Sequence, residues 1–170
     1  MTRIDGAALT LVLAGCESGA PRLVYLGPRL PDDERLESLA IAATAGRHGS
    51  QPDIPQPRGL LPETGHGGMG AAALALRRGD TALATVFGPA EILASPAALR
   101  VSMADPANGL ALTIGWRIGA GDVVCASMTL TNTGGTPLAV DNLASLALPL
   151  PGWASEAVHF AGRWAREMQT

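Results

Sequence analysis

The strongest constraint on the fold is the alternation of apolar and polar residues in short runs that end at turn-forming residues. Between residues 110 and 131 the sequence reads LALTIGWRIGAGDVVCASMTLT, two alternating runs joined by Gly-Ala-Gly-Asp. Such alternation predicts strands with one buried face, and Gly, Asp, Asn and Pro at the breaks favour tight reversals. The pattern predicts strands at 9–13, 23–26, 72–76, 82–87, 99–103, 110–118, 122–131, 144–149 and 158–166. We therefore predict an all-β fold, a β-sandwich whose paired sheets enclose one apolar core.

One segment departs from this pattern. Residues 31–46 read PDDERLESLAIAATAG, which ends in glycine. Asp32 and Asp33 are suited to an N-cap, and Leu36 and Leu39 recur at helical spacing. We expect one short helix here, beginning near the two aspartates.

The composition limits the classes of function. The chain has 170 residues, 47% of them hydrophobic, which is enough for a single domain with a real core. Its net charge is −3, and no basic run could neutralise a line of phosphates, so we expect no nucleic-acid partner. An uninterrupted apolar stretch of about 20 residues is missing from the sequence, which excludes a transmembrane helix; we expect no membrane partner and a cytoplasmic location.

The cysteines leave two interpretations open. Cys16 and Cys125 lie far apart in sequence without metal-ligand spacing, which is typical of two reduced structural thiols. However, LVLAGC at residues 11–16 resembles the small-residue box that precedes the lipidated cysteine of bacterial lipoproteins. Processing there would remove residues 1–15 and leave a small envelope lipoprotein lipidated at Cys16. The short apolar run and its single preceding Arg3 favour a first β-strand instead.

A long segment rich in proline and glycine, residues 49–70, is the first candidate for a binding loop. It ends in PETGHGGMG, where Glu63 and His66 could form a polar rim and the glycines allow close approach of a ligand. The alternative is a solvated surface loop. It is not a phosphate-binding loop, because no Lys-Ser/Thr pair follows the glycines.

Other catalytic chemistry finds little support. The histidines at 48, 66 and 159 are too far apart to predict a metal site, and no Gly-x-Ser-x-Gly motif is present. The acidic residues give too many combinations to define a carboxylate pair. We expect no metal and no cofactor.

The end of the sequence poses a separate question. FAGRWARE, residues 160–167, places Phe160, Gly162, Trp164 and Arg166 on one face if it forms a single strand. A buried tryptophan beside charged residues is explained either as a core residue with solvated neighbours or as a contact surface for another part of the protein.

Four stretches in the same order resemble the N-terminal region of glycoside hydrolase family 36, the family of α-galactosidases. They are LVYLGPRL (23–30), the loop that closes in PETGHGGMG (62–70), DVVCASMTLTNTGGTPLAVDNLASLALPLP (122–151) and FAGRWARE (160–167). The residues that match the family's motifs are Tyr25, Gly27, Asn132, Ser145, Gly162, Trp164, Arg166 and Glu167.

The resemblance implies that residues 1–170 form a single N-terminal β-supersandwich domain of the galactose-mutarotase-like type, incomplete relative to the family's. The catalytic carboxylates of such enzymes lie on a following (β/α)₈ barrel, which is absent from this sequence. The resemblance therefore implies no catalytic residue here and a chain that is inactive alone. Its expected role is in assembly and in shaping the active-site entrance of an enzyme that hydrolyses terminal α-galactosides.

The family's entrance loop reads Gly-x-Gly-Asp-Phe-Arg after Pro-Glu, whereas here Pro62 and Glu63 match and the later residues do not. Glu63, His66 and Met69 remain the candidates for a galactoside contact at the rim. The implied partners are the barrel of the parent protein and further copies of the chain in a homo-oligomer. A stand-alone carbohydrate-binding module is the alternative, although the chain has only 3 Trp, 1 Tyr and 2 Phe for sugar platforms.

Overall fold

The computed structural model describes residues 1–16, 19–44, 60–66, 72–145, 147, 156, 158, 161–163 and 166–169, with the backbone alone for 66, 161–163 and 166–169. The described chain forms twelve strands and one α-helix. They are β1 (Thr2–Asp5), β2 (Leu9–Ala14), β3 (Arg22–Pro28), α1 (Leu36–Ala42), β4 (Leu74–Arg78), β5 (Thr81–Ala82), β6 (Glu91–Ser95), β7 (Ala98–Asp105), β8 (Leu110–Ile118), β9 (Val124–Asn132), β10 (Ala139–Leu143), β11 (Ala161–Arg163) and β12 (Arg166–Gln169).

The largest sheet is an antiparallel meander in the order β6-β7-β8-β9. Alternate residues of β8 are buried from Leu110 to Ile118, and β9 repeats the alternation with partly buried and exposed residues. The β8–β9 register runs without a break from Leu110 opposite Asn132 to Ile118 opposite Val124. The predicted alternation of apolar and polar residues therefore gives the sheet one face toward the core and one face toward solvent.

A second sheet has the order β1-β2-β3, with β2 at its centre. Leu11, Val12 and Leu13 of β2 are fully buried, as is Ile4 of β1. The backbone N–H of Asp5 donates to the carbonyl oxygen of Pro96 at 3.0 Å, which joins this sheet to the β6–β7 turn. The first five residues thus belong to the folded domain.

A third sheet has the order β10-β4-β5. Leu74 and Leu76 of β4 are buried, whereas all residues of β10 are exposed. Arg77 and Asp141 join the two strands through two hydrogen bonds of 2.7 and 2.8 Å.

One core unites these sheets. It contains Ile4, Leu11 and Leu13 of the β1-β2-β3 sheet, Leu74 and Leu76 of β4, and the inward side chains of the meander, including Val101, Leu112, Ile114 and Trp116. Packing of sheet faces over a shared apolar layer confirms the predicted all-β sandwich with one short helix.

The sequence-predicted strand at 82–87 is mostly irregular backbone. Only Ala82 lies in a strand, although Thr85 and Phe87 are fully buried at alternating positions. The N–H groups of residues 85–87 donate to the side chains of Thr64, Asp105 and Glu63, respectively. Side-chain acceptors thus replace the strand ladder, which the alternation alone does not reveal.

The helix is present, but the predicted N-cap is wrong. α1 begins after Arg35 at the N-cap position, which makes no side-chain capping bond. Asp32 instead lies 3.5 Å from the Arg29 guanidinium. At the other end Arg22 donates to the carbonyl oxygen of Ala40 and to Thr44 Oγ1, so β3 holds the last turn of the helix. The glycine predicted to end the helix lies outside the described residues.

The predicted single strand at 158–166 is wrong as well. β11 and β12 run antiparallel, with Arg163 opposite Arg166, so the chain changes direction between the two strands. The sequence between these strands, Trp-Ala, contains none of the usual turn signals of Gly, Asn or Asp, so the sequence pattern did not predict two strands. Of the strand predicted at 144–149, residues 144, 145 and 147 are described and lie outside any strand.

Candidate functional site

The predicted rim loop begins at a buried carboxylate. Glu63 is 6% exposed. Its two carboxylate oxygens accept hydrogen bonds from the backbone N–H groups of Ala20, at 3.3 Å, and of Phe87, at 2.6 Å. One side chain therefore joins the segment that leads into β3 to the segment that precedes β6.

A single 3₁₀ turn, Thr64–His66, follows this anchor. The N–H of Gly65 donates to the carbonyl oxygen of Thr85 at 3.0 Å, and a Cβ at Gly65 would lie only 2.6 Å from that oxygen. The turn therefore requires glycine and lies flat on the 85–87 segment. His66 closes the turn, and Met69 lies outside the described residues, so their role at a rim stays a prediction.

The Tyr25-x-Gly27 motif has a packing explanation. Both residues lie on the same face of β3, and a Cβ at Gly27 would lie 2.9 Å from the Tyr25 hydroxyl oxygen. That hydroxyl donates to the carbonyl oxygen of Pro28 at 2.8 Å. The glycine gives the ring space to fold along its own strand, where the hydroxyl uses its proton in a bond to the backbone of β3.

The Asn132–Gly135 turn is organised by an arginine that the motif does not contain. Asn132 Oδ1 accepts two hydrogen bonds, one from the backbone N–H of Gly134 at 3.2 Å and one from Nη2 of Arg78 at 3.1 Å. Arg78 also donates to the carbonyl oxygens of Thr136 and Asn108. One guanidinium thus joins β4, the β7–β8 turn and the β9–β10 loop.

The remaining motif residues are placed less completely. Ser145 is exposed after β10. Gly162 lies in β11, and Arg166 and Glu167 lie in β12, while Trp164 lies outside the described residues. β11 and β12 pair in a sheet of their own, whereas β3 belongs to the β1-β2-β3 sheet and β9 to the meander, so the described motif residues are distributed over three sheets.

The electrostatics reveal structural carboxylates. Burial acts to raise the pKa of Asp5, but hydrogen bonds from Thr10 and Arg3 and the charges of Arg3 and Arg29 lower this pKa below its ordinary value. The hydrogen bond from Arg77, with its charge, lowers the pKa of Asp141. Across the described ranges, His, Cys, Asp and Glu residues do not assemble in a group of three or more that could hold a metal ion.

The family is decided by a match across most of the chain. Residues 19–170 match the family described as Glycosyl hydrolase family 36 N-terminal domain. The chain belongs to this family. As an N-terminal domain of family 36 glycoside hydrolases it is a non-catalytic domain, and the family implies a catalytic domain in the parent protein. No curated protein gives a significant match.

The family 36 N-terminal domain contains a surface groove that the motifs do not predict. It lies on the meander around Gly115, and its lining includes Leu93, Arg100, Arg117 and Ser127. An isolated glycine inside an otherwise alternating strand often marks close approach by another group. Gly115 in the middle of β8 was therefore the available sequence signal.

No described helix is long and apolar enough to cross a membrane.

Proposed function

We propose that the chain serves as the N-terminal domain of an α-galactosidase-like enzyme, in which it assembles with the catalytic barrel and shapes the entrance to the active site. The family match over residues 19–170 carries this proposal. The α-galactoside specificity rests on the resemblance of the Tyr25, Asn132 and PETGHGGMG motifs. The chemistry of hydrolysis belongs to the catalytic domain.

The anchored loop supports a role at the entrance. Glu63 and the turn Thr64–His66 are bound to the 85–87 segment, so the described start of the predicted rim loop is fixed to the sandwich. Residues that contact a ligand at the entrance to an active site must be held in place by a rigid scaffold. His66 and Met69 are the residues through which we expect this loop to contact a galactoside.

The test combines activity and binding. The purified chain alone should not hydrolyse p-nitrophenyl α-galactoside, whereas the chain mixed with the catalytic part of its parent should form a complex that does. Calorimetric titration with galactose and melibiose tests the rim separately, with His66→Ala and Met69→Ala as loop variants and Ser145→Ala as a control. Failure to bind the catalytic part would contradict the assembly role.

A stand-alone carbohydrate-binding module is the second candidate. Such modules use exposed aromatic rings as platforms for sugars. Among the described aromatics, Phe87 and Trp116 are buried and Tyr25 is tied to its own strand. Sugar binding by the isolated chain that is unaffected by the loop variants would favour the module.

The structure argues against processing at Cys16. Removal of residues 1–15 would delete β1 and β2 and, with them, the core residues Ile4, Leu11 and Leu13. We propose instead that the chain is cytoplasmic; the free thiols of Cys16 and Cys125 are consistent with a reducing compartment. Fractionation of the native host and the intact mass of the protein test this proposal.

We also propose self-association through β9. This strand, VCASMTLTN, has nine residues, no charge, no proline and no bulge, and no other described strand pairs with its outer edge. Natural edge strands normally carry a charge, a proline or a bulge that prevents pairing with another strand. Light scattering should detect a dimer of the wild-type chain. Thr129→Lys, which adds a charge to the edge strand, should dissociate this dimer, whereas Thr113→Lys on the inner strand β8 should leave it intact. A wild-type chain that is monomeric at high concentration would contradict the proposal.

A further inference from the structure

The groove on the outer face of the meander is built around a missing side chain. Across the strands, Leu93 of β6 faces Arg100 of β7, Arg100 faces Gly115 of β8, and Gly115 faces Ser127 of β9. A Cβ at Gly115 would lie 2.9 Å from Ser127 Oγ. The glycine thus forms the floor of an open groove of about 540 Å³.

Two arginines of the groove have no acidic partner among the residues that the structure describes. Arg117 follows Gly115 by two residues on the same face, which places it diagonal to Arg100, with backbone positions about 7–8 Å apart. None of the ion pairs among the described residues includes Arg100 or Arg117. The acid on this face nearest in register is Glu91, which lies opposite Ser102.

The remaining walls combine apolar and weakly bonded polar groups. Leu93 is 60% exposed although it is apolar. The Ser127 hydroxyl donates to the carbonyl oxygen of Gly115 at 3.4 Å, a long bond that a ligand could replace at small cost. A few polar groups on an apolar lining, in a volume between about 300 and 1,000 Å³, are typical of small-molecule sites.

We propose that this groove binds a small organic anion, with its oxyanion held between Arg100 and Arg117 and its body against Leu93 and the floor at Gly115. Two guanidinium groups present planar N–H donors that suit carboxylate and phosphate oxygens. The proposal is independent of the galactoside rim, because the groove and the Glu63 loop are built from different segments.

The groove contains its own reporter. Cys125 is exposed, lines the groove and lies opposite Arg117 in register, whereas Cys16 is half-buried outside the groove lining. The rate at which a disulfide reagent modifies Cys125 in the whole chain therefore reports occupancy, and Cys16 serves as the internal reference. Matched probes are galacturonate and galactose 6-phosphate against uncharged galactose, with inorganic phosphate as the oxyanion alone.

We expect galacturonate or galactose 6-phosphate to slow modification of Cys125 but not of Cys16, and galactose to have no effect. The charged sugar that slows modification of Cys125 more identifies the preferred oxyanion as carboxylate or phosphate. Arg100→Gln and Arg117→Gln should each weaken binding about tenfold, because a hydrogen bond to a charged group is lost. Arg35→Gln removes an exposed guanidinium elsewhere and should leave binding unchanged.

Gly115→Ala tests the floor directly, since the added methyl would lie 2.9 Å from Ser127 Oγ and must displace that hydroxyl, which alters the floor without changing the charge of the groove. It should weaken binding while the circular dichroism spectrum stays native. Equal protection by galactose and galacturonate, or protection that survives the Arg100→Gln/Arg117→Gln double change, would overturn the proposal. So would protection by hexaglutamate alone, which would assign the groove to a protein partner.

Discussion

At the scale of single residues, the buried carboxylate of Glu63 joins two segments that are distant in sequence. Glu63→Gln keeps its shape but replaces one acceptor oxygen by an amide donor, next to backbone N–H groups that already donate. We expect a loss of about 1–3 kcal/mol in the free energy of unfolding, measured with urea, since a buried donor loses its partner. Glu91→Gln on exposed β6 is the matched control, and equal losses for the two variants would contradict this role.

Asp5 gives a prediction about pH. Its pKa is lowered in the folded state, so the carboxylate contributes stability above the ordinary carboxyl pKa of about 4. This contribution is lost as the pH falls through the lowered pKa. Asp5→Asn should therefore destabilise the protein at pH 7 and flatten its acid-side decline in unfolding free energy. An identical acid profile for Asp5→Asn and the wild type would exclude Asp5 as a source of that decline.

At the scale of secondary-structure elements, two turns differ in how closely they are packed. Gly79 and Gly109 both have positive φ, +57° and +59°. A Cβ at Gly79 meets nothing within 4 Å, whereas one at Gly109 lies 3.0 Å from the backbone of Gly134. Gly79→Ala should cost about 1–2 kcal/mol in unfolding free energy from backbone strain alone. Gly109→Ala should cost clearly more in the same urea titration; equal losses would show that Gly109 is not in tight contact with the backbone of Gly134.

The elements that the sequence predicted well are those with one buried face. β8 and β9 were found because their alternation reflects real burial. β10 was missed because all its residues are exposed, and its pairing with β4 depends on backbone bonds and on Arg77 with Asp141. β6 left an equally weak pattern, because only Ile92 of its five residues is partly buried.

The candidate site follows the same logic. Sequence reasoning found Glu63 as a notable carboxylate but could not foresee that its oxygens would accept backbone N–H groups 43 and 24 positions away. It also missed Arg78 and the Arg100–Arg117 pair, because their importance arises from register between strands and not from spacing along the chain.

At the scale of the whole molecule, the folded domain is larger than the family match. The match begins at residue 19, yet β2 is the central strand of its sheet, and Ile4, Leu11 and Leu13 belong to the shared core. Deletion of residues 1–15 would leave β3 without its partner and would expose the inward side chains of the meander that β2 covers. We expect the shortened chain to lack a cooperative thermal transition.

A second deletion separates loss of the core from loss of length. Removing residues 1–5 deletes only β1, an edge strand that contributes Ile4 to the core and the Asp5–Pro96 backbone bond. Leu11, Val12 and Leu13 stay in place, so this variant should fold with a lower melting temperature. Circular dichroism and calorimetry distinguish the two variants. A native transition after removal of residues 1–15 would show that the segment 19–170 folds without its central strand, and would restore processing at Cys16 as a physically acceptable event.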